Sequence, residues 1–282
     1  MAFNILYNVS SLAAQNQMNL TSASLQNTLL QLSSGSRINS GADDAAGLAI
    51  ADGLQANVTA LTQSARNATD GLGALQVADG SMAQVTTLLN RAVTLATEAS
   101  NGTVSAQQSA ALDAEFTAIK AEIDRIGSNT TYNGAQVFSG TTSNVYLTDA
   151  TAAGSSSIDI TVGKLSSKSI GFSTGLTPVD LSGDDLTTQA NAQAALTDID
   201  NAIANVAADR GAIGAVMNRL QSASNVISNQ VQNLTQAESS IRSADISKEV
   251  ADMSKYSILQ QTGVAALQQS NQMQQAVLQL LR

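Results

Sequence analysis

The sequence predicts a mainly α protein: long antiparallel helical rods in a coiled-coil bundle, with a small β-hairpin element in the middle. Three observations predict it. Apolar residues recur at alternating intervals of four and three through most of the 282 residues, the spacing of a helix–helix seam. One proline, Pro178, leaves nearly all of the chain free to be helical. Only the stretch at about 139–185 is rich in Ser, Thr and Gly and alternates at period two.

Composition narrows the chemistry. Hydrophobic residues make up 43% and aromatics 3%, with no Trp, Cys or His. Such an Ala/Leu/Ile/Val palette suits narrow helix seams. Without His or Cys there is no Ser-His-Asp or Cys-His nucleophile, no Cys/His zinc site and no disulfide. A net charge of −9 and a pI near 4.3 disfavour phosphate backbones, so no nucleic-acid partner is expected. The start, MAFNILYNVSS, lacks the basic and apolar regions of an ordinary secretory signal. No run of 18 apolar residues predicts a membrane span. No catalytic, cofactor-binding or metal-binding residue is expected, and the chain reads as a non-enzyme.

Residues 1–41 are expected to form a charge-free helix and a hinge. Ile5, Val9 and Leu12 make one short stripe; Met18, Leu25, Leu29 and Leu32 make another. Residues 1–36 hold no Asp, Glu, Lys or Arg, and neither do residues 256–281. The first stretch has five Asn and four Gln, the second eight Gln. A helix facing water on one side normally carries charge there. An amide-rich outer face suits burial in an assembly, where an unpaired ion would be desolvated at high cost. With much of each seam polar, the isolated ends are marginal helices and are expected to order on assembly.

The hinge reads "LSSGSRINSGADDAAGLAI" at 32–50. Gly35 suits a helix stop, and Asn39 begins turn chemistry. Asp43 and Asp44 precede an alanine-rich run, where a carboxylate accepts backbone N–H bonds. As a catalytic pair they are poorly placed, because consecutive helical residues diverge. Capping, with a local Arg37 pairing, is the expectation.

Residues 42–140 are expected to form the N-terminal rod helices and a turn. The seam Leu54, Val58, Leu61, Ala65, Ala68, Leu72 and Leu75 continues through Met82, Leu89, Val93 and Ala96. That predicts a helix of roughly 85–90 Å. Gly71, Gly73 and Gly80 weaken it by about 1 kcal/mol each or admit a close neighbour. "SNGT" at 100–103 ends it, and Leu112, Phe116, Ile119, Ile123 and Ile126 mark a second helix. Asn133-Gly134 is a hairpin signal.

Residues 141–185 are expected to be a small β, Ser/Thr/Gly-rich segment in which Ile158, Ile160 and Val162 alternate. Residues 186–241 resume as a rod helix with Leu196, Ile199, Ile203, Val206, Ile213, Met217, Leu220, Ile227, Val231 and Leu234, interrupted by Arg210 and Ser224. The last element, 242–282, carries Ile246, Val250, Met253, Val264, Leu267, Leu278 and Leu281 at the same spacing.

The hinge motif resembles the N-terminal signature of bacterial flagellins. "TLLNRAVTLATEASNGT" (87–103), "IDRIGSNTTYNGAQVFSG" (123–140) and the whole of 241–282 are similar in the same order. The resemblance implies a secreted subunit of the extracellular bacterial flagellum that self-assembles into a helical filament for motility. It places the two ends in the inner filament layer, with Ile5, Val9, Leu12, Leu25, Leu29, Leu32, Val250, Met253, Val264, Leu267, Leu278 and Leu281 at the core interface. It implies hook-associated and cap proteins, a type III export apparatus, and an export chaperone at the C-terminal segment as partners. It also implies a Toll-like receptor facing Leu89, Arg91 and Leu95. The receptor motif's glutamate and a glutamine are Thr94 and Asn90 here. The 141–185 segment is too short for the family's outer domains, so a minimal form is expected. Two other readings stand beside this one: a hook–filament junction protein, and a coiled-coil signalling adaptor, which predicts charged outer faces on the terminal helices.

Overall fold

The computed structural model describes residues 9–148, 156–172 and 177–280, the side chains at 274 and 277–280 apart. Ile5, Leu281 and the Leu278 side chain therefore lie outside the described residues. In chain order the elements are α1 (Val9–Ser34), α2 (Ala45–Ala99), α3 (Ala106–Asn129), β1 (Thr131–Tyr132), β2 (Ala135–Gln136), β3 (Thr142–Tyr146), β4 (Ser157–Thr161), α4 (Gln189–Arg242) and α5 (Ile246–Leu280). The protein is mainly α, and its strands form two small antiparallel pairs, β1–β2 and β3–β4. The contacts divide the chain into two compact units: residues 1–56 with 233–282, and residues 57–232.

In the first unit α1 and α5 pack against each other. They run antiparallel: Gln260 Nε2 reaches Ser22 Oγ at 3.5 Å, Met18 lies beside Gly263, and Arg37 meets Arg242. The covered positions on α1 include Ser11, Ala14, Met18, Thr21, Leu25, Thr28 and Leu32, an unbroken 3-4 series, with Ser22, Ser24 and Gln31 half-buried beside it. On α5 they include Glu249, Met253, Tyr256, Gln260, Gly263, Leu267 and Ser270, with Asp252 and Ser257 half-buried beside them. Met18, Leu25, Leu32, Met253 and Leu267 were legible as seam residues. Val9, Leu12, Leu29, Val250 and Val264 are not in this seam and lie exposed. The helices meet through small and polar residues, which hydrophobicity alone under-weights.

The second unit shows the same shift. Along α2 in this unit the buried positions are Leu61, Ser64, Ala68, Gly71, Leu75, Ala78, Met82, Val85, Leu89, Ala92, Leu95, Ala96 and Ala99. Six of these follow the expected seam. The alternate ones fall one residue earlier, so Ser64 and Gly71 are buried where Ala65 and Leu72 were expected. Small residues there let neighbours approach, and the bulkier flanks half-cover the groove. On α4 the buried residues are Ala192, Ala195, Ile199, Ala202, Asn205, Val206, Asp209, Ile213, Leu220 and Ile227. Arg210 thus stands beside the seam, where it bonds Asp79 at 2.8 Å.

Two glycines of α2 receive strand side chains at close range, with Leu220 of α4 farther off, 3.5 Å from a Cβ on Gly71. A Cβ on Gly71 would sit 2.8 Å from Val145 and 3.1 Å from Ile160. One on Gly73 would meet the Tyr132 hydroxyl at 2.8 Å. Gly80 faces open space. Asn133 and Gly134 both take positive φ, 49° and 77°, the two-residue turn that matches strand twist. Ile158, Ile160 and Val162 are all buried, joined by Leu165, Ile170, Leu181 and Leu186. The middle segment therefore contributes a large share of this unit's core. Acidic side chains tie it down: Asp209, fully buried, accepts the Phe172 N–H at 3.0 Å; Asp124 accepts the Ser167 N–H at 2.7 Å; and Asp113 accepts the Leu186 N–H at 2.8 Å.

Candidate assembly surface

The hinge is a clasp between two linkers, one joining α1 to α2 and the other α4 to α5. Gly35 ends α1 with a φ of 68°, a conformation costly to a residue with a Cβ. The Arg37 N–H donates to the Arg242 carbonyl at 2.7 Å, and the Ala244 N–H to the Gly35 carbonyl at 3.1 Å. Ser36 and Ser243 form the bridge between them. The Arg37 guanidinium donates to the Ile241 carbonyl at 3.0 Å. Arg37 is thus directed across the clasp, and the local aspartate pairing expected for it is not what the described residues show.

The two aspartates divide the work. Asp43 Oδ2 accepts the N–H groups of Asn39 at 3.0 Å and Ser40 at 2.8 Å, and the Ser40 hydroxyl. Those donors, the Asn39 amide first, hold its carboxyl below the usual aspartate range. Asn39 also donates from its side chain to the Ser36 carbonyl. Asp44 Oδ1 accepts the Gly47 N–H at 2.8 Å, which caps the start of α2. Ile38, 1% exposed, is plugged beneath this turn, and a Cβ on Gly47 would strike both Asp44 and Ile38. Asp245 caps α5 through the Ser247 and Lys248 amides. Arg242 joins Asp52 and Glu238.

Above the clasp, the α1–α5 pair leaves much of its apolar surface uncovered. Val9 is 69% exposed, Leu20 64%, Leu30 61% and Ile258 60%. Leu12, Leu29, Ile246, Val250, Leu259, Val264 and Met273 are exposed too. Between Val9 and Ser34 no charged residue interrupts this face. Leu20, Leu30, Ile258, Leu259 and Met273 were missed in the sequence because they fall off the strongest periodic stripe. Their signal is the absence of charge along all of α1 and along α5 after Lys255. Exposed apolar side chains in this number mark an interaction site.

Leu89 and Leu95 are buried at 0% and 1% exposure within the α2 seam. Arg91 reaches solvent and pairs with Glu115 through two hydrogen bonds, of 2.7 and 3.1 Å. That pairing raises the Arg91 pKa and lowers that of Glu115. Among the described residues no cluster of His, Cys, Asp or Glu could hold a metal, and no helix is long and apolar enough to cross a membrane.

Comparison with known proteins places this arrangement. Residues 5–143 match the family model described as the bacterial flagellin N-terminal helical region, and residues 196–281 match the bacterial flagellin C-terminal helical region. The chain is 36% identical over 278 residues to a flagellin of Halalkalibacterium halodurans, covering 99% of both chains. It is 33% identical over 306 residues to a flagellin of Bacillus subtilis, again covering 99% of both. It is 32% identical over 287 residues to the flagellar filament 33 kDa core protein of Treponema phagedenis, with the same coverage.

Proposed function

The chain belongs to the bacterial flagellin family and is a structural subunit of the flagellar filament that serves motility, and on that premise we propose that the open faces of α1 and α5 are the contact between copies. The observation that carries this reading is the exposed apolar surface of α1, which holds no charged residue, and of α5, which holds none after Lys255. Water is an unfavourable solvent for that surface, at about 25 cal/mol per Å². A neighbouring copy supplies apolar cover and amide partners together. A contact of the α1 face of one copy with the α5 face of the next, without reciprocation, is heterologous, and heterologous contacts that do not close propagate as a helix.

Residues 1–41 and 242–282 then form the inner filament layer. Ile5, Val9, Leu12, Leu29, Val250 and Val264, with Leu278 and Leu281, meet neighbouring copies. Leu25, Leu32, Met253 and Leu267 hold the α1–α5 pair itself. The terminal helices order as copies add, because marginal helices gain most from packing. The subunit leaves the cell through a type III export apparatus, with a chaperone covering the C-terminal segment until then. Hook-associated and cap proteins bound the filament. Of the three residues proposed to face a vertebrate Toll-like receptor, Arg91 is the one with an exposed side chain. A receptor reporter silent toward wild-type monomer would remove that contact.

Electron microscopy of full-length protein in filament-promoting salt tests the assembly. Filaments are expected from the whole chain, and soluble helical monomers after deletion of residues 1–36 and 256–282. Persistent monomers of the whole chain would overturn the reading.

A further inference from the structure

The chain contains two Asn-Gly pairs, Asn101-Gly102 and Asn133-Gly134, and both asparagines are exposed. Asn-Gly is the dipeptide most prone to self-modification. The backbone nitrogen of the glycine attacks the asparagine Cγ, the Cγ–Nδ2 bond breaks, and ammonia leaves from a cyclic imide. Water then opens the imide to aspartate or isoaspartate. No oxidant or reductant is needed, and hydroxide or water removes the glycine N–H proton. In sequence the two pairs are chemically equal, and the fold makes them unequal.

We propose that Asn101 is a spontaneous deamidation site of the folded protein and that Asn133, of identical local chemistry, is protected by its turn. Ring closure needs the following nitrogen to swing to the same side of the Cα–C bond as Cβ. Asn133 is held with φ at 49° by the β1–β2 ladder on either side. In this left-handed turn the peptide nitrogen of Gly134 points away from Cβ, so reaction requires the hairpin to open. Asn101 lies just beyond α2, in the loop before α3, with no positive φ. A single loop turn holds it, its N–H donating to the Glu98 carbonyl and its carbonyl accepting the Val104 N–H, each at 3.1 Å. No strand ladder flanks it. The Gly102 N–H takes part in no hydrogen bond among the described residues. The Asn101 side-chain oxygen accepts the Thr103 N–H at 3.3 Å. That donor points at the oxygen on which negative charge develops when Cγ becomes tetrahedral, an oxyanion contact already in place.

The consequence is local and electrostatic. A carboxylate at position 101 lies next to the C-terminal end of α2, where the helix dipole disfavours negative charge, and close in sequence to Glu98. Modification therefore loosens the α2–α3 junction, and an isoaspartate lengthens the backbone there.

The experiment ages full-length protein at mildly alkaline pH and maps both peptides by mass spectrometry, with isoaspartate distinguished by methyltransferase labelling. Asn101 is expected to convert at least about tenfold faster than Asn133, the factor that about 1.4 kcal/mol of hairpin opening imposes. In denaturant the two rates should converge, since only the fold separates them. Gly102→Ala should slow Asn101 alone. A Cβ there meets only the Gln189 side chain, at 3.6 Å or more, so that variant keeps its fold. Equal rates in folded protein, or faster loss at Asn133, would overturn the proposal.

Discussion

The Arg37 amide donates to the Arg242 carbonyl across 2.7 Å, joining two linkers more than two hundred residues apart in sequence. The Arg37 side chain adds a second tie to the same helix end, at Ile241. Arg37→Ala should keep the backbone bond and remove the side-chain one, at a cost of about 0.5–1.5 kcal/mol. Hydrogen exchange is the direct readout. The Ala244 amide, which donates to Gly35, should exchange faster in the variant, while amides in α3 should not change. Unaltered exchange at Ala244 would mean the guanidinium does not support the clasp.

The glycines of α2 give opposite outcomes for one substitution. Gly80→Ala adds a methyl group to open space and should stabilise by about 0.5–1 kcal/mol. Gly71→Ala drives the methyl group into Val145 and Ile160 and should cost about 1–3 kcal/mol. Chemical denaturation of the two variants side by side checks both signs.

Asp43 and Asp184 should respond to acid in opposite senses. Hydrogen bonds, that from Asn39 foremost, depress the Asp43 pKa. Its contribution is present above the unfolded aspartate value and is lost as pH falls through the lower native one. Asp43→Ala should therefore destabilise at neutral pH, by an amount that shrinks on acidification. The Asp184 pKa is raised by burial first and by Asp198 next. Its buried Oδ2 has no hydrogen-bond partner. The protonated form is the favoured one, so stability from this group is present below the unfolded value and lost as pH rises through the native one. Asp184→Asn should raise stability at neutral pH, with the gain fading toward acid. Melting curves across pH would refute the assignment if both variants moved in the same direction.

Assembly and folding should separate on the α1 surface. Leu30 is 61% exposed, so Leu30→Lys should change monomer stability by no more than about 0.5 kcal/mol. It should still stop filament growth, because the ammonium would be desolvated against the next copy. Ile258→Lys should behave alike. Sedimentation under filament-promoting salt, paired with denaturation of the monomer, reads both quantities. Normal filaments from both variants would exclude this face as the contact.

The long helices, their order and the turn at Asn133-Gly134 were legible because each rests on local periodicity or local backbone preference. The seams were legible only in part. Leu75, Met82 and Leu89 stood out by size, whereas Ser64, Gly71 and Thr28 occupy equally buried places and carry no apolar signal. Their burial depends on how near the neighbouring element comes, a property that no single stretch encodes. Asp209 is the clearest case. Its neighbour Arg210 looked like the seam breaker, yet the aspartate is the buried residue, satisfied by an amide 37 residues earlier in the chain. The clasp was half visible: Gly35, Asp43 and Asp44 announce a turn, but the partner linker at Arg242–Ala244 has no matching motif. The outward face of α1 and α5 was legible in part, through Val9, Leu12, Leu29, Val250 and Val264 and through the missing set of charged side chains before Arg37 and between Lys255 and Arg282.

That missing set decides how surroundings can address the subunit. From Val9 to Ser34 there is nothing to titrate and nothing for counter-ions to screen. Acidity or brine outside the cell consequently acts on the chain between Arg37 and Lys255, where all but the last of its cations and all of its carboxylate side chains reside. Whatever a change of medium does to such a filament, it finds no ionisable side chain along α1 and acts first on residues from Arg37 to Lys255, the opening turns of α5 included.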